Sequence, residues 1–278
     1  DAVSNKLNDE RFVLIEENFR YIKRFLRFHG VKKVDGILAD LGVSSHQFDV
    51  PERGFSTRFD SELDMRMTQR NDLTAGKIIN EYSEADLRKV LKDYGELDNA
   101  HGIMVAISKA RNVEPITNTA QLKTVLDRFL PPNKINKIMA QIYQALRIEV
   151  NQEIQVLKEF LEQTPELLNA GGRLSVISYH SLEDRLVKRY MRDGMFEGQP
   201  EKDVFGNTKV PFKKVGGLII PTEAEIQMNM GSTQNEFSLL YFRVCLQNIE
   251  CAGNVCMACF SEFNSTTPQH LNKFYPAL

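Results

Sequence analysis

A short apolar run between Val34 and Asp40 is the clearest element in the pattern of hydrophobic and polar positions. The run is too short for a buried helix and Gly42 closes it, so the pattern predicts a buried strand. The turn that follows carries two hydroxyl groups, on Ser44 and Ser45. Ligands of open α/β sheets bind beyond the carboxyl ends of the strands. Asp40 therefore either accepts hydrogen bonds from a donor-rich ligand or caps the following turn, which is a common role for aspartate.

A second apolar run, Leu174–Ser178, has the same form. It follows a glycine turn at Gly171 and Gly172, and the pattern again predicts a buried strand. Polar residues come directly after it: Tyr179, His180, Ser181, Glu183, Asp184 and Arg185. Both predicted strands of this α/β pattern end in a cluster of polar residues. This arrangement predicts one crevice that both clusters line.

Apolar residues at helical spacing occupy most of the remaining chain. They predict a helix over 21–29 with one basic side, a helix over 122–129, and a long helix over 134–163. A capping box over 83–86 marks the start of another helix. A short strand is predicted over 11–15.

The order of these elements predicts an α/β fold with a helical insertion, because no strand pattern separates the helices between about 50 and 132. We divide the chain into four segments: 1–49 and 134–244 as the two parts of the α/β domain, 50–133 as the insertion, and 245–278 as a tail.

Composition and charge exclude several classes of protein. The chain has 278 residues, of which 42% are hydrophobic and 26% charged, as in ordinary globular proteins. A net charge of −2 argues against a protein that coats nucleic acid through its overall charge. Three basic segments, at 20–27, 185–192 and 210–217, remain able to neutralise phosphates locally. No apolar run has the length of a membrane span, and the polar start does not resemble a signal peptide.

All four cysteines lie near the C-terminus: Cys245, Cys251, Cys256 and Cys259. The spacing of the last two permits a zinc site, but no paired histidine motif accompanies it. We expect ordinary reduced thiols and no metal, and we expect no disulfide framework in a chain without a secretory signal.

Four stretches carry a resemblance to a known family. They read Asp-Leu-Gly-Val-Ser-Ser-His-Gln at 40–47, Glu-Arg-Gly-Phe-Ser at 52–56, Leu-Asp-Met-Arg-Met at 63–67 and Ser-Tyr-His-Ser-Leu-Glu-Asp-Arg at 178–185. Together they resemble the bacterial 16S rRNA cytosine-N4 methyltransferases, the RsmH or MraW family, over about residues 9–228. The resemblance implies a Rossmann-like class I methyltransferase fold with a helical insertion. It also implies a cytoplasmic enzyme that uses S-adenosylmethionine on small-subunit ribosomal RNA.

The resemblance also assigns roles to individual residues. Phe19, Asp40 and Gln47 match positions that contact S-adenosylmethionine, and Asp40 and His180 are candidates for catalysis. A further set matches the side that faces the RNA: Ser44, Ser45, Arg53, Asp64, Arg66, Ser181, Asp184 and Arg185. Simpler roles stay open for Phe19 in the core, for Gln47 in a turn and for His180 at a strand end.

The sequence also departs from the family pattern. The family's N-terminal quarter, with its glycine-rich cofactor loop, has no counterpart here, and no G-x-G-x-x-G motif occurs. From about Asn229 onward the resemblance stops. An alternative is therefore a catalytically inactive remnant that binds RNA or the ribosome. Sheet edges left without neighbouring strands would favour a homodimer.

Overall fold

The computed structural model describes residues 12–42, 53–56, 60–131, 133–200, 204–205, 210–213, 243–247 and 256–260. The chain divides into two compact units: the first comprises Asp1–Val43 and Gln155–Leu278, and the second comprises Ser44–Ile154. Among the described residues, no helix combines the length and the apolar composition that a membrane crossing requires.

The first unit is built on a sheet of four described strands in the order β3-β2-β1-β4. The strands are β1 (Val34–Asp40), β2 (Leu168–Ser178), β3 (Arg243–Gln247) and β4 (Cys256–Phe260). β1 pairs in parallel with β2 and with β4, and β3 runs antiparallel to β2. The mixed α/β class expected from the sequence is confirmed, and the sheet fits a Rossmann-like methyltransferase fold.

Helices accompany this sheet. A single 3-10 turn, Phe19–Tyr21, leads into α1 (Ile22–Phe28), and α8 (Ser181–Asp193) follows β2 directly. The long helix α7 (Glu153–Leu167) ends where β2 begins. One hydrophobic core joins residues of α1, α7 and α8 to residues of the two central strands. At its centre Phe160, fully buried, packs edge-to-face against the ring of Phe19 with 5.3 Å between centroids.

The second unit is helical. Its helices are α2 (Ala75–Glu81), α3 (Glu84–Asp93), α4 (Ala100–Arg111), α5 (Thr119–Asp127) and α6 (Ile135–Asn151). Helix α6 packs against α2, α3 and α5. Because of this packing the compact unit extends to Ile154 and not only to residue 133 as predicted for the insertion. Ser83 caps the start of α3, since its hydroxyl accepts a hydrogen bond from the Asp86 amide at 3.1 Å and donates one to the Asp86 carboxylate at 2.6 Å.

Several sequence predictions need correction. Residues 12–15 form no strand, and Val13 is 56% exposed there. The helix predicted over 134–163 is two helices, because Gln152 adopts the left-handed conformation (φ +53°) and ends α6. Phe129 is 59% exposed and does not extend the apolar stripe of α5.

The strand β2 begins at Leu168, earlier than predicted. Its pairing with β1 jumps from Leu168 to Arg173, so the glycine turn at 171–172 becomes a bulge inside the strand. β4, from the predicted tail, pairs with the side of β1 opposite β2, so β1 is a central strand. Cys256 and Cys259 thus lie in a strand and Cys245 lies in β3, whereas Cys251 lies outside the described residues. A homodimer stays a prediction.

Replacing Phe160 by alanine is expected to destabilise the first unit by about 3–5 kcal/mol, because a fully buried ring leaves a cavity. Phe129→Ala is the matched control and is expected to change stability by less than about 0.5 kcal/mol, because its ring is mostly exposed. Urea unfolding followed by circular dichroism measures both. Equal losses in the two variants would contradict the assigned core.

Candidate active site

Parallel pairing sets the geometry of the candidate site. In the β1–β2 ladder Asp40 lies opposite Ile177, and the Leu41 amide donates to the Ile177 carbonyl at 3.0 Å. The two strands therefore end at the same edge of the sheet. The residues that follow β1 lie next to those that follow β2. This is the edge at which the sequence predicts a crevice, because ligands of open α/β sheets bind there.

The central contact of the site joins Asp40 and Tyr179. The Tyr179 hydroxyl donates a hydrogen bond to Oδ1 of Asp40 at 2.8 Å. Burial, and after it the negative charge of Asp40, raises the pKa of Tyr179 far above its usual value. The phenol therefore keeps its proton at neutral pH and remains a donor. Asp40 is half-buried, so the contact orients a carboxylate that stays accessible at the sheet edge.

Gly42 makes room for this contact. Its backbone has φ +92°, a conformation that favours glycine, and a Cβ built there would lie 3.0 Å from Cδ2 of Tyr179. The glycine after the strand thus has two functions. It permits the turn, and it lets the tyrosine ring pack directly on the backbone beside Asp40.

Glu183 organises the start of α8. One carboxylate oxygen accepts a hydrogen bond from the Tyr179 amide at 3.1 Å, and the other lies 3.2 Å from Nε2 of His180. His180 is the N-terminal cap residue of α8 and is 7% exposed. Neither ring nitrogen makes a well-formed hydrogen bond among the described residues, so the contact of Nε2 with Glu183 is one of proximity. The histidine is thus a buried group with a carboxylate at one ring nitrogen.

Other predicted residues of the first unit have different environments. Phe19 belongs to the core contact with Phe160 described above, and its ring is half-buried. Asp184 is buried and accepts a hydrogen bond from Lys188 at 2.8 Å, whereas Ser181 and Arg185 are exposed on α8. Ser44, Ser45 and Gln47 lie outside the described residues.

In the second unit, Arg53, Asp64 and Arg66 organise one loop. Arg66 makes a two-point ion pair with Asp64, at 2.6 and 3.0 Å, and Arg53 donates to the carbonyls of Arg66 and Met67. Burial opposes ionisation of Asp64, but the hydrogen bonds from Arg66 outweigh it, so the pKa of Asp64 is lowered. These contacts account for the loop's shape. Substrate contact by the three residues stays a prediction.

Asn151 fastens the same loop to the end of α6. Its side chain accepts a hydrogen bond from the Met67 amide at 2.7 Å and donates to the Met65 carbonyl at 2.8 Å. Met65 is fully buried and has a left-handed backbone, with φ +58°. No sequence pattern marks Asn151 as functional, because it lies inside a continuous helical pattern. Tyr179 and Glu183 were visible as polar residues after a strand, but the sequence assigned them no role.

The sequence of this protein is similar to those of known methylases. The model of the MraW methylase family matches residues 2–241. The chain belongs to the MraW methylase family. The match continues beyond Asn229, where the resemblance was expected to stop, and it leaves the whole predicted tail, 245–278, outside. The site at the end of β1 is therefore a site within a family of methylases, enzymes that need a methyl donor.

Curated relatives agree with this assignment. The chain is 70% identical over 229 residues to ribosomal RNA small subunit methyltransferase H of Flavobacterium psychrophilum, covering 82% of this chain and 79% of the relative. It is 67% identical to the protein of the same name from Flavobacterium johnsoniae, covering 82% and 76%. It is 54% identical to the one from Cytophaga hutchinsonii, covering 82% and 78%.

Gly42→Ala is expected to destabilise the first unit and displace the Tyr179 ring. Gly30→Ala is the matched control, because Gly30 also has a positive φ (+75°) but open space at its Cβ position. Both variants carry the backbone strain, of about 1–2 kcal/mol. Only Gly42→Ala adds the contact with Tyr179, so urea unfolding is expected to show a further loss of about 1 kcal/mol or more. Equal losses would contradict close packing at Gly42.

Asp64 is expected to make stability depend on acidic pH. Since its pKa is lowered in the folded protein, its contribution is complete above the ordinary value near 4 and is lost as the pH falls through the folded value. The protein with Asp64 is thus expected to lose more stability between about pH 5 and 3 than Asp64→Asn. Thermal unfolding at several pH values measures this, with exposed Asp98→Asn as control. Parallel pH curves for the two proteins would contradict the assignment.

Proposed function

We propose that this protein transfers the methyl group of S-adenosylmethionine to the N4 amine of a cytosine in small-subunit ribosomal RNA. The observation that carries the proposal is Asp40, a carboxylate held by Tyr179 at the carboxyl edge of the sheet. The names of the relatives support a ribosomal RNA substrate. The motif resemblance supports the cytosine amine and the methyl donor.

The residues present fit such a donor. S-adenosylmethionine carries a positive sulfonium, an ammonium group and hydroxyl donors, and Asp40 offers a negative charge at the place where ligands of this fold bind. The protonated, neutral Tyr179 orients the Asp40 carboxylate through a hydrogen bond and leaves its negative charge in place. Phe19 and Gln47 complete the proposed binding set by resemblance. When bound, S-adenosylmethionine supplies an electrophilic methyl group.

Positioning is the main demand of the reaction. The N4 amine of cytosine is a weak nucleophile because its lone pair is delocalised into the ring, so it must be held in line with the methyl group at about 3–3.5 Å. A hydrogen-bond acceptor on the amine favours a pyramidal nitrogen and later accepts its proton. Asp40 is that acceptor in our proposal. The base has to leave its stack to reach the sheet edge.

His180 is the proposed final acceptor of the amine proton. Glu183, whose carboxylate lies 3.2 Å from Nε2, would stabilise the imidazolium, and Nδ1 is the nitrogen that takes the proton. Ser44, Ser45, Arg53, Asp64, Arg66, Ser181, Asp184 and Arg185 stay the proposed contacts to RNA.

The alternative of an inactive RNA-binding remnant has no support from the relatives named above, all of which are called methyltransferases. Calorimetric titration with S-adenosylmethionine, followed by methyl transfer to small ribosomal subunits with a radiolabelled donor, separates the two. Binding and transfer support the enzyme. RNA binding by a folded protein without donor binding would support the remnant instead. A cytoplasmic location stays a prediction.

Variants of the site residues are expected to separate binding from chemistry. Asp40→Asn is expected to weaken donor binding by about tenfold or more, because it removes a charge-assisted hydrogen bond. Tyr179→Phe keeps the negative charge of Asp40 but removes the hydrogen bond that orients it. We expect donor binding to weaken by about 2- to 10-fold. His180→Ala is expected to lower kcat by about 100-fold or more with little change in donor affinity. Wild-type affinity and turnover in Asp40→Asn would remove Asp40 from the site.

A further inference from the structure

We propose that the exposed side of α1 is a binding surface for single-stranded RNA, formed by Tyr21, Arg24, Arg27 and Phe28. The proposal rests on the proposed function in one respect, the expectation that the substrate is RNA. It concerns a surface of the first unit that includes the basic segment 20–27 and none of the proposed site residues.

A groove runs along this helix. It is open to solvent and has a volume of about 360 Å³. Its lining residues are Arg20, Tyr21, Lys23, Arg24, Arg27 and Gln163. Four of these six side chains are cations, and they lie at positions 20, 23, 24 and 27, a spacing that puts them on one side of a helix. A ligand in this groove therefore meets a concentrated positive charge.

Two of the cations are held in place by the protein itself. Arg20 makes a two-point ion pair with Glu159 on α7, with both distances 2.7 Å, and Lys23 pairs with Glu166. Gln163 donates to the Arg20 carbonyl at 2.8 Å and accepts from the Lys23 amide at 3.3 Å. These contacts fix α1 on α7, so the floor of the groove is preorganised.

The other two cations have no such partners. Arg24 and Arg27 are exposed and make no hydrogen bond or ion pair within the part of the chain that the structure describes. In α8, by contrast, Lys188 pairs with Asp184, Arg189 binds the Gly198 carbonyl and Arg192 pairs with Asp193. The charge of α1 is thus available to an external anion, whereas these α8 cations are engaged.

Exposed aromatic rings flank Arg24. Tyr21 is 45% exposed and Phe28 is 81% exposed, and the two lie seven residues apart, which returns to the same side of a helix. Both rings are therefore accessible for stacking on the bases of a ligand. Guanidinium groups bind phosphates, and exposed aromatic rings stack on bases. Surfaces that combine the two bind unpaired nucleotides. A duplex, whose bases are already stacked, would not use the rings.

The test compares matched variants of the full chain in fluorescence anisotropy with a labelled single-stranded RNA of mixed sequence. Arg24→Ala/Arg27→Ala is expected to lower the slope of log affinity against log salt by about 1.4, since each phosphate contact to a single strand contributes about 0.7. That change corresponds to about 25-fold weaker binding at 0.1 M salt. Arg88→Ala/Lys92→Ala, which removes two exposed cations of α3, is the control for net charge and should leave the slope unchanged.

A second pair isolates stacking from charge. Phe28→Ala is expected to weaken RNA binding by about 5- to 100-fold at an unchanged salt slope, as for the loss of one stacked base. Phe129→Ala removes another exposed phenylalanine and should bind RNA like the wild type. All four variants are expected to keep the wild-type unfolding curve.

The outcomes separate this surface from the catalytic proposal. Losses confined to the α1 variants support the surface, even if no methyl transfer occurs and the proposed function fails. Wild-type RNA binding in both α1 variants, or no RNA binding by the wild type, would overturn it. Anionic phosphatidylglycerol vesicles are the competing probe. Vesicle binding that depends on Arg24 and Arg27 while RNA binding does not would assign the surface to a membrane and overturn the RNA proposal.

Discussion

The parallel pairing of β1 with β2 brings Asp40 and Tyr179 into contact across 139 residues of sequence. Parallel strands end at one edge, so the polar residues after each strand have to meet there. The contact places a carboxylate, a phenol and the start of α8 in one small volume. A shift of one residue in the pairing register would turn Asp40 to the other face of the sheet. The hydrogen bond between Asp40 and Tyr179 would then be lost.

Buried polar groups in this site are arranged so that each supports the next. The phenol of Tyr179 orients Asp40, while the amide of the same residue is bound by Glu183, which also faces His180. Linked polar groups of this kind orient one another and favour one arrangement. The site is therefore a rigid pre-assembled surface, as transfer chemistry that depends on positioning requires.

The sequence predicted the two central strands and most helices because each has a local pattern of apolar residues. It failed where a distant contact decided the outcome. Gln152 is an ordinary residue in a helical pattern, and only the three-dimensional structure shows the left-handed turn that ends α6. Likewise the pairing of β4 with β1 and the role of Asn151 depend on partners far away in the chain. Asp64 and Arg66 were found as a motif, but their mutual ion pair was not.

The long separation of Asp40 from Tyr179 also has a consequence during synthesis. When β1 leaves the ribosome, the strand and the tyrosine that complete it are still untranslated, and they follow after roughly 7 to 28 s at 5–20 residues per second. The helices between Ser44 and Ile154 belong to a compact unit of their own and can form in this interval. The nascent protein thus exposes an unpaired, apolar β1 while its neighbour in sequence is already folded. This strand is the part of the chain on which a chaperone would act.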